Sequence, residues 1–251
     1  KIIVIGFILK DKGKVKEMAT IKHQAARAAF GAAADVTLKY LNKDPEKREK
    51  SLLKIVDLTE SFAKDRFKPE SYEAAKAMIR DKDSKWMQYV NRIFDEVSPN
   101  VIKKTAMNLG FEAMLSGTKI MHEMREKYQC NIPWLLLIDP TSACNLHCTG
   151  CWAAEYGHTM SLTYDELDSI ITQGKELGIY LYMYTGGEPL VRKADIIKLC
   201  EKHNDCAFHA FTNGTLVDDA FCEEMDRVGN LSLSISLEGY EEVNDGRRGQ
   251  G

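Results

Sequence analysis

Three cysteines lie close together in the run Cys144-Asn-Leu-His-Cys148-Thr-Gly-Cys151, just after the apolar segment 134–139. Three thiolates can bind three irons of a 4Fe-4S cluster. No fourth cysteine follows at close spacing, so the fourth iron would stay open to a ligand that is not protein. The spacing therefore predicts a cluster-binding loop with one reactive iron.

A zinc knuckle is the alternative for this loop, because zinc sites also use closely spaced Cys and His, and His147 lies inside the run. Such sites usually take two ligand pairs, whereas the later cysteines have no paired spacing: Cys200, Cys206 and Cys222. The cysteine count is odd, which does not favour a disulfide framework. The cluster is the better interpretation.

The loop resembles the Cys-x3-Cys-x2-Cys motif of the radical S-adenosylmethionine (radical SAM) superfamily, and Gly186-Gly187-Glu188-Pro189 resembles that superfamily's Gly-Gly-Glu-Pro motif. The resemblance implies an enzyme that cleaves S-adenosylmethionine (SAM) reductively to a 5′-deoxyadenosyl radical. Its cofactors would be a 4Fe-4S cluster and SAM, and its partner a reductant such as flavodoxin or ferredoxin. The substrate is unidentified, with peptide or protein modification and lipid modification as candidates. A non-catalytic iron-sulfur or zinc-binding protein is the alternative.

The resemblance also assigns residues to SAM. The two glycines would let the backbone approach the amino group of SAM closely. Glu188 or its neighbouring backbone would accept hydrogen bonds from that amino group. An arginine suits the carboxylate, and Arg247 competes with Arg248 for that role. Two departures from the family pattern affect the adenine side: Gly150 where an aromatic is frequent, with Trp152 as a substitute, and Glu238 where Asp is frequent. The full predicted set is Gly186, Gly187, Glu188, Pro189, Thr212, Asn213, Ser236, Glu238 and Arg248.

The elements that must position these residues follow from hydrophobic periodicity. Short apolar runs predict strands over 134–139, 179–185, 207–212 and 231–237, and amphipathic patterns predict helices over 163–177, 193–203 and 217–228. Each motif follows the end of a strand, which is where (β/α) barrels carry their reactive groups. The fold class expected is α/β, a partial TIM-like barrel of the radical SAM type. In the fourth strand, alternating Leu/Ile and Ser predict one face on helices and one polar inner face.

An all-α domain is expected before the barrel. The pattern from 14 to 127 predicts about four amphipathic helices, with start signals at Asp44-Pro45 and Ser98-Pro99. The alanine-rich run 25–34 predicts close packing of a neighbouring helix. We therefore predict a helical domain over 1–130 and the first part of a barrel over 131–251, since a barrel of this type would have about six βα units.

The charge distribution supports that boundary. Residues 1–130 carry 26 Lys and Arg against 18 Asp and Glu, and residues 131–251 carry 8 against 19, so a net charge of +8 is followed by −11. Two interpretations of the basic half follow: docking on the acidic barrel, which is favoured, or weak contact with an anionic membrane surface. The apolar run 1–9 is too short to span a bilayer and is expected to be a strand or an anchor. No nucleic-acid partner is evident, and a cytoplasmic location is expected.

Overall fold

The computed structural model describes residues 15–41, 45–62, 68–153, 157 and 159–249. Within these ranges the first half of the chain is helical, so the predicted helical character is right, but the predicted number of about four is wrong. Polar turns separate elements that the periodicity merges, such as the turn at 81–84. The elements are α1 (Val15–Leu41), α2 (Pro45–Phe62), α3 (Pro69–Arg80), α4 (Lys85–Glu96), α5 (Pro99–Thr105), a π-helix (Ala106–Gly117) and α6 (Thr118–Tyr128).

The predicted helix start at Ser98-Pro99 is confirmed, because the Ser98 hydroxyl accepts a hydrogen bond from the Val101 N–H at the start of α5. From there α5, the π-helix and α6 form one continuous segment, 99–128. Asp44 and the apolar run 1–9 lie outside the described residues. No helix of the described ranges is both long and apolar enough to cross a membrane.

The alanine-rich run does not pack as expected. Six of its alanines are exposed on α1: Ala25, Ala26, Ala28, Ala29, Ala32 and Ala33. The contact with the π-helix is made by their larger and smaller neighbours instead. The rings of Phe30 and Phe111 lie 5.4 Å apart, and Gly31 is buried against Met107. Alanine side chains offer little apolar area, so the aromatic pair decides which face of α1 is buried.

The second half forms a parallel four-stranded sheet in the order β1-β2-β3-β4, which confirms the predicted α/β class. The strands lie within the predicted ranges, and β3 has the predicted bounds: β1 (Leu135–Ile138), β2 (Leu181–Tyr184), β3 (Ala207–Thr212) and β4 (Leu231–Ile235). The helices between them are α7 (Tyr164–Glu176), α8 (Lys193–Lys202) and α9 (Asp219–Val228), with a 3-10 helix (Pro189–Arg192) before α8. A further helix that sequence analysis did not predict, α10 (Glu241–Arg248), follows β4.

The outer face of the sheet carries the core. Tyr182, Tyr184 and Phe208 are buried there under α7 and α8, and the rings of Tyr184 and Phe208 stack 5.9 Å apart. On β4 the predicted alternation holds for Leu231, which is buried, but Ile235 is 56% exposed. β4 lies at an edge of the described sheet, so its last residues lack a neighbour on one side.

Segment 99–128 covers the amino-terminal edge of this sheet. The Asn108 side chain donates to the carbonyl of Cys206, just before β3, over 2.7 Å. Asn100 donates to the carbonyl of Asp226 at the end of α9. Near β2, a Cβ on Gly117 would lie 2.4 Å from the carbonyl of Gly178, so only glycine permits this approach. The opposite, carboxyl-terminal edge is left to the loops that carry the predicted site.

Candidate functional site

The cysteine loop starts from a segment that is fixed on both sides. After β1, the Thr141 hydroxyl accepts a hydrogen bond from the Ala143 N–H and lies 2.7 Å from the Ser161 hydroxyl. The Ser142 N–H donates to the carbonyl of Met160 over 2.7 Å. This short antiparallel pairing holds the chain just before Cys144, so the loop leaves the sheet in a defined direction.

The three cysteines of the loop are free thiols, each half-buried. Burial raises the pKa of the Cys144 thiol, although the Leu146 N–H, which donates to its Sγ, opposes that shift. Iron would remove the proton, because coordination by a metal deprotonates a thiol outright. Within the described ranges, no three His, Cys, Asp or Glu side chains are placed to hold a single metal ion. A cluster differs from such a site, since each thiolate binds a separate iron.

The Gly-Gly-Glu-Pro turn after β2 pairs with the start of this loop. The Gly187 N–H donates to the carbonyl of Thr141 over 3.0 Å, and the Glu188 N–H donates to that of Ala143 over 2.8 Å. A Cβ on Gly187 would lie 2.3 Å from the Ala143 carbonyl oxygen, and one on Gly186 would lie 2.7 Å from that of Thr141. The glycines are therefore required by the approach of two protein segments, whatever they also do toward a ligand.

The Glu188 side chain faces the protein and is 1% exposed. Its carboxylate accepts hydrogen bonds from the Leu190 N–H, the Thr212 hydroxyl and the Asn213 N–H, over 2.8 to 2.9 Å. Glu188 thus joins the end of β2 to the end of β3 and fixes two other residues of the predicted set. Pro189 is buried beside it and begins the 3-10 helix.

The fourth strand brings in the remaining predicted residues. The Ser236 N–H donates to the carbonyl of Thr212 over 2.9 Å. Both arginines of α10 bind Glu238, with the Arg247 guanidinium 3.1 Å from one carboxylate oxygen and Arg248 on the other. The Nε of Arg248 is buried without a hydrogen-bond partner among the described residues. An orphaned guanidinium donor at this edge fits a site for an anionic ligand.

α10 also reaches the cysteine loop, since the Thr149 N–H donates to the carbonyl of Arg247 over 2.8 Å. Each motif follows the end of a strand, as sequence analysis predicted, and hydrogen bonds connect all four strand ends at this edge. Gly150 and Trp152 were predicted to lie near adenine. Gly150 adopts a positive φ of 71° with open space around it, and Trp152 is 58% exposed.

Sequence analysis missed Asn145 and Thr215. Asn145 binds both Asn213 and Thr215 across 68 and 70 residues of sequence. The available signal was the position of Asn145 directly after the first cysteine.

This arrangement is a parallel, partial α/β barrel with three thiols, a glycine turn and a partly unpaired guanidinium at one edge. Residues 138–250 match the family model described as the Radical SAM superfamily. For this part of the chain the match confirms the predicted resemblance to that superfamily, whose enzymes use a 4Fe-4S cluster and SAM.

Curated relatives include an AdoMet-dependent heme synthase from Methanosarcina barkeri (strain Fusaro), 32% identical over 47% of this chain and 35% of its own length. A GTP 3',8-cyclase from Clostridium botulinum (strain Hall) is 31% identical over 43% of this chain and 35% of its own length. The chain thus spans about a third of the length of these relatives. Among solved structures, Streptococcus suis SuiB bound to S-adenosylmethionine matches with a TM-score of 0.45 and 23% identity, over 54% of this chain and 33% of that chain.

Proposed function

We propose that this chain is part of a radical SAM enzyme whose 4Fe-4S cluster is bound by Cys144, Cys148 and Cys151. A bound cluster would supply one electron for the reductive cleavage of SAM to methionine and a 5′-deoxyadenosyl radical, which would act on a substrate. The observation that carries the proposal is the pairing of the cysteine loop with the Gly-Gly-Glu-Pro turn, through the 2.8 Å bond from the Glu188 N–H to the Ala143 carbonyl.

The chain's own residues divide the work of holding SAM. The turn that contains Gly186 and Gly187 supplies backbone groups beside the cysteine loop. Arg248 supplies the buried Nε–H for the methionine carboxylate, while its Nη2 stays on Glu238. Ser236 follows the end of β4, where its hydroxyl can bind a ribose hydroxyl, and Asn213 follows the neighbouring end of β3. Glu188 contributes by holding Thr212 and Asn213 in place.

Anaerobic reconstitution with iron and sulfide tests the cluster. We expect about four irons per chain and iron-sulfur absorbance, both lost in Cys144→Ala, Cys148→Ala and Cys151→Ala. Cys222→Ala is the matched control because that thiol is exposed on α9, whereas Cys200 is fully buried and its replacement would also disturb the core. Full zinc occupancy without iron-sulfur absorbance would refute the proposal.

A non-catalytic iron-sulfur or zinc protein is separated from the enzyme by SAM cleavage. The reconstituted protein, given dithionite and SAM, is expected to release 5′-deoxyadenosine even without substrate. An electron carrier or a structural site would hold the cluster but would release no 5′-deoxyadenosine.

The inner face of the described strands supports a substrate with apolar surface, such as a lipid or an apolar peptide side chain. It carries Leu137, Met183 and Phe211, of which Leu137 is 59% exposed, and none of its strand residues is Lys or Arg. A polar group adjoins them on the same face, where the His209 ring lies within 2.9 Å of the hydroxyls of Ser232 and Ser234. The relatives named as a GTP 3',8-cyclase and a heme synthase do not decide this question. Equilibrium dialysis of the reconstituted protein with GTP is expected to show no saturable binding, and saturable binding would exclude this preference.

We further propose that the enzyme is cytoplasmic, because the cluster and the free thiols would survive in that compartment. Its electron would come from a flavodoxin or ferredoxin. Docking of the helical half on the barrel is supported by the contacts of Asn100 and Asn108. A weak membrane contact is supported by Trp86 and Tyr89, which are 68% and 58% exposed one turn apart on α4.

Sedimentation with phosphatidylglycerol vesicles, at low and physiological salt, tests the membrane contact. Binding that fades at physiological salt would support the contact, provided that it is also weaker with phosphatidylcholine vesicles and in Trp86→Ser. Sedimentation that is absent under every condition would remove the membrane from the partners.

A further inference from the structure

Three side chains form a closed ring of hydrogen bonds between the cysteine loop and the end of β3. The Asn213 Nδ2 donates to the Asn145 Oδ1 over 2.9 Å, and the Asn145 Nδ2 donates to the Thr215 hydroxyl over 2.7 Å. The Thr215 hydroxyl in turn donates to the Asn213 Oδ1 over 2.8 Å. Each member gives one bond and receives one, and rings of this kind polarise their members cooperatively.

The direction of the ring is fixed by the backbone. The Thr215 N–H also donates to the Asn213 Oδ1, over 3.0 Å, so this oxygen cannot be exchanged for the amide nitrogen. The Asn213 amide then has to point its nitrogen at Asn145, which orients that amide as well. Behind the ring, the buried carboxylate of Glu188 holds the Asn213 N–H over 2.8 Å. The ring therefore rests on a rigid base.

We propose that the Asn145–Asn213–Thr215 ring is a positioning device that fixes the cysteine loop against β3 before any cluster binds. Asn145 lies between the first two cysteines. The pairing of Ala143 with Glu188 ties the start of the loop, and the bond from the Thr149 N–H to Arg247 ties its later part. The ring adds the third tie, at the turn between Cys144 and Cys148. The three thiols then keep their relative positions, and the cluster keeps its position relative to the residues proposed for SAM.

The ring members are exposed or half-buried, so the ring is expected to act on the loop and little on global stability. This separates a positioning role from a structural one. The inference rests on the proposed function only for the cluster itself, because the arrangement of the loop can be measured in the metal-free protein.

The test compares Thr215→Val with Thr215→Ser. Valine keeps the shape and the backbone bond but removes two of the three ring bonds, whereas serine retains the hydroxyl. In the metal-free protein, amide hydrogen exchange of 144–151 is expected to be about tenfold faster in Thr215→Val and unchanged in Thr215→Ser, at equal Tm. Asn145→Ala is the second variant and should match Thr215→Val.

After reconstitution, the electron paramagnetic resonance spectrum of the reduced cluster with SAM is expected to broaden or shift in Thr215→Val and to be restored in Thr215→Ser. Parent-like exchange and spectra in both ring-breaking variants would overturn the inference. If neither the parent nor any variant binds a cluster, the proposed function fails. The exchange measurement still decides whether the ring orders the loop.

Discussion

Replacing Gly187 with alanine tests whether the glycine turn and the cysteine loop depend on each other. The added Cβ would lie 2.3 Å from the carbonyl oxygen of Ala143 and 2.5 Å from that of Ser142. Both neighbours are backbone atoms, so no side-chain rotation relieves the overlap. A contact of 3.0 Å is already tight, and the two segments must therefore separate by about 0.7 Å or more.

That separation weakens the two hydrogen bonds that join the segments, from Gly187 to Thr141 and from Glu188 to Ala143. Each is worth about 1 kcal/mol, and overpacking of a well-packed contact costs about 1–3 kcal/mol more. The free energy of unfolding should fall by about 3–5 kcal/mol. For a chain of this size the Tm then drops by roughly 10 °C.

The assay is thermal and urea unfolding of the metal-free protein, followed by measurement of iron content after reconstitution. Gly246→Ala is the matched control, because that glycine lies within α10 with nothing near its Cβ position. Alanine there should be neutral or stabilise by about 0.5–1 kcal/mol. In Gly187→Ala, iron retention should fall together with the Tm.

A different result would refute this reasoning. If the glycine served only the approach of SAM, Gly187→Ala would lower SAM affinity and leave the metal-free protein unchanged. A Tm within about 2 °C of the parent, with full iron content, would show that the loop accommodates the methyl group at no cost.

Three further predictions concern other parts of the chain. Asn108→Ala should lower the free energy of unfolding by about 1–3 kcal/mol without changing iron content, because two hydrogen bonds are lost, from the Asn108 side chain to the carbonyls of Asn204 and Cys206; unfolding in urea measures it, and an unchanged midpoint would contradict it. Burial lowers the pKa of His203 although Asp168 binds the ring, so the unfolded chain binds more protons as the pH falls below about 6.5 and stability is lost there. Unfolding at pH 7.5 and 5.5 should show that loss, and His203→Gln should reduce it. Arg248→Ala should weaken SAM binding in calorimetric titration while the cluster absorbance remains, and unchanged affinity would exclude this guanidinium from the SAM site.

Local signals explain what the sequence predicts well. The cap at Thr163, whose hydroxyl and Glu166 partner satisfy each other's backbone N–H groups, is complete within four residues. The bounds of β3 follow from an apolar run between polar turns. The positions of the motifs follow from strand order alone, because parallel strands end at the same edge.

The missed features depend on contacts between distant parts of the chain. Glu188 reads as a ligand for an amino group, but it is buried by Thr212 and Asn213, which arrive 24 and 25 residues later. The π-helix has no local signal that distinguishes it from an α-helix. Exposure of the alanines on α1 depends on the pairing of Phe30 with Phe111, which no periodicity reveals.

The two edges of the sheet therefore carry different tasks. At the amino-terminal edge, the tie from segment 99–128 runs through Asn108, which is fully buried, so its loss should appear in the stability of the whole chain. At the carboxyl-terminal edge, the ties of Asn145 and Thr215 are exposed, so their loss should appear in the order of one loop. Because the two sets share no residues and are separated by the length of the strands, their effects should be additive in a double variant. Additivity of Asn108→Ala with Thr215→Val in urea unfolding, alongside loop exchange that changes only with Thr215, is the expected result. Strong coupling between them would mean that the helical segment helps to order the cysteine loop through the sheet.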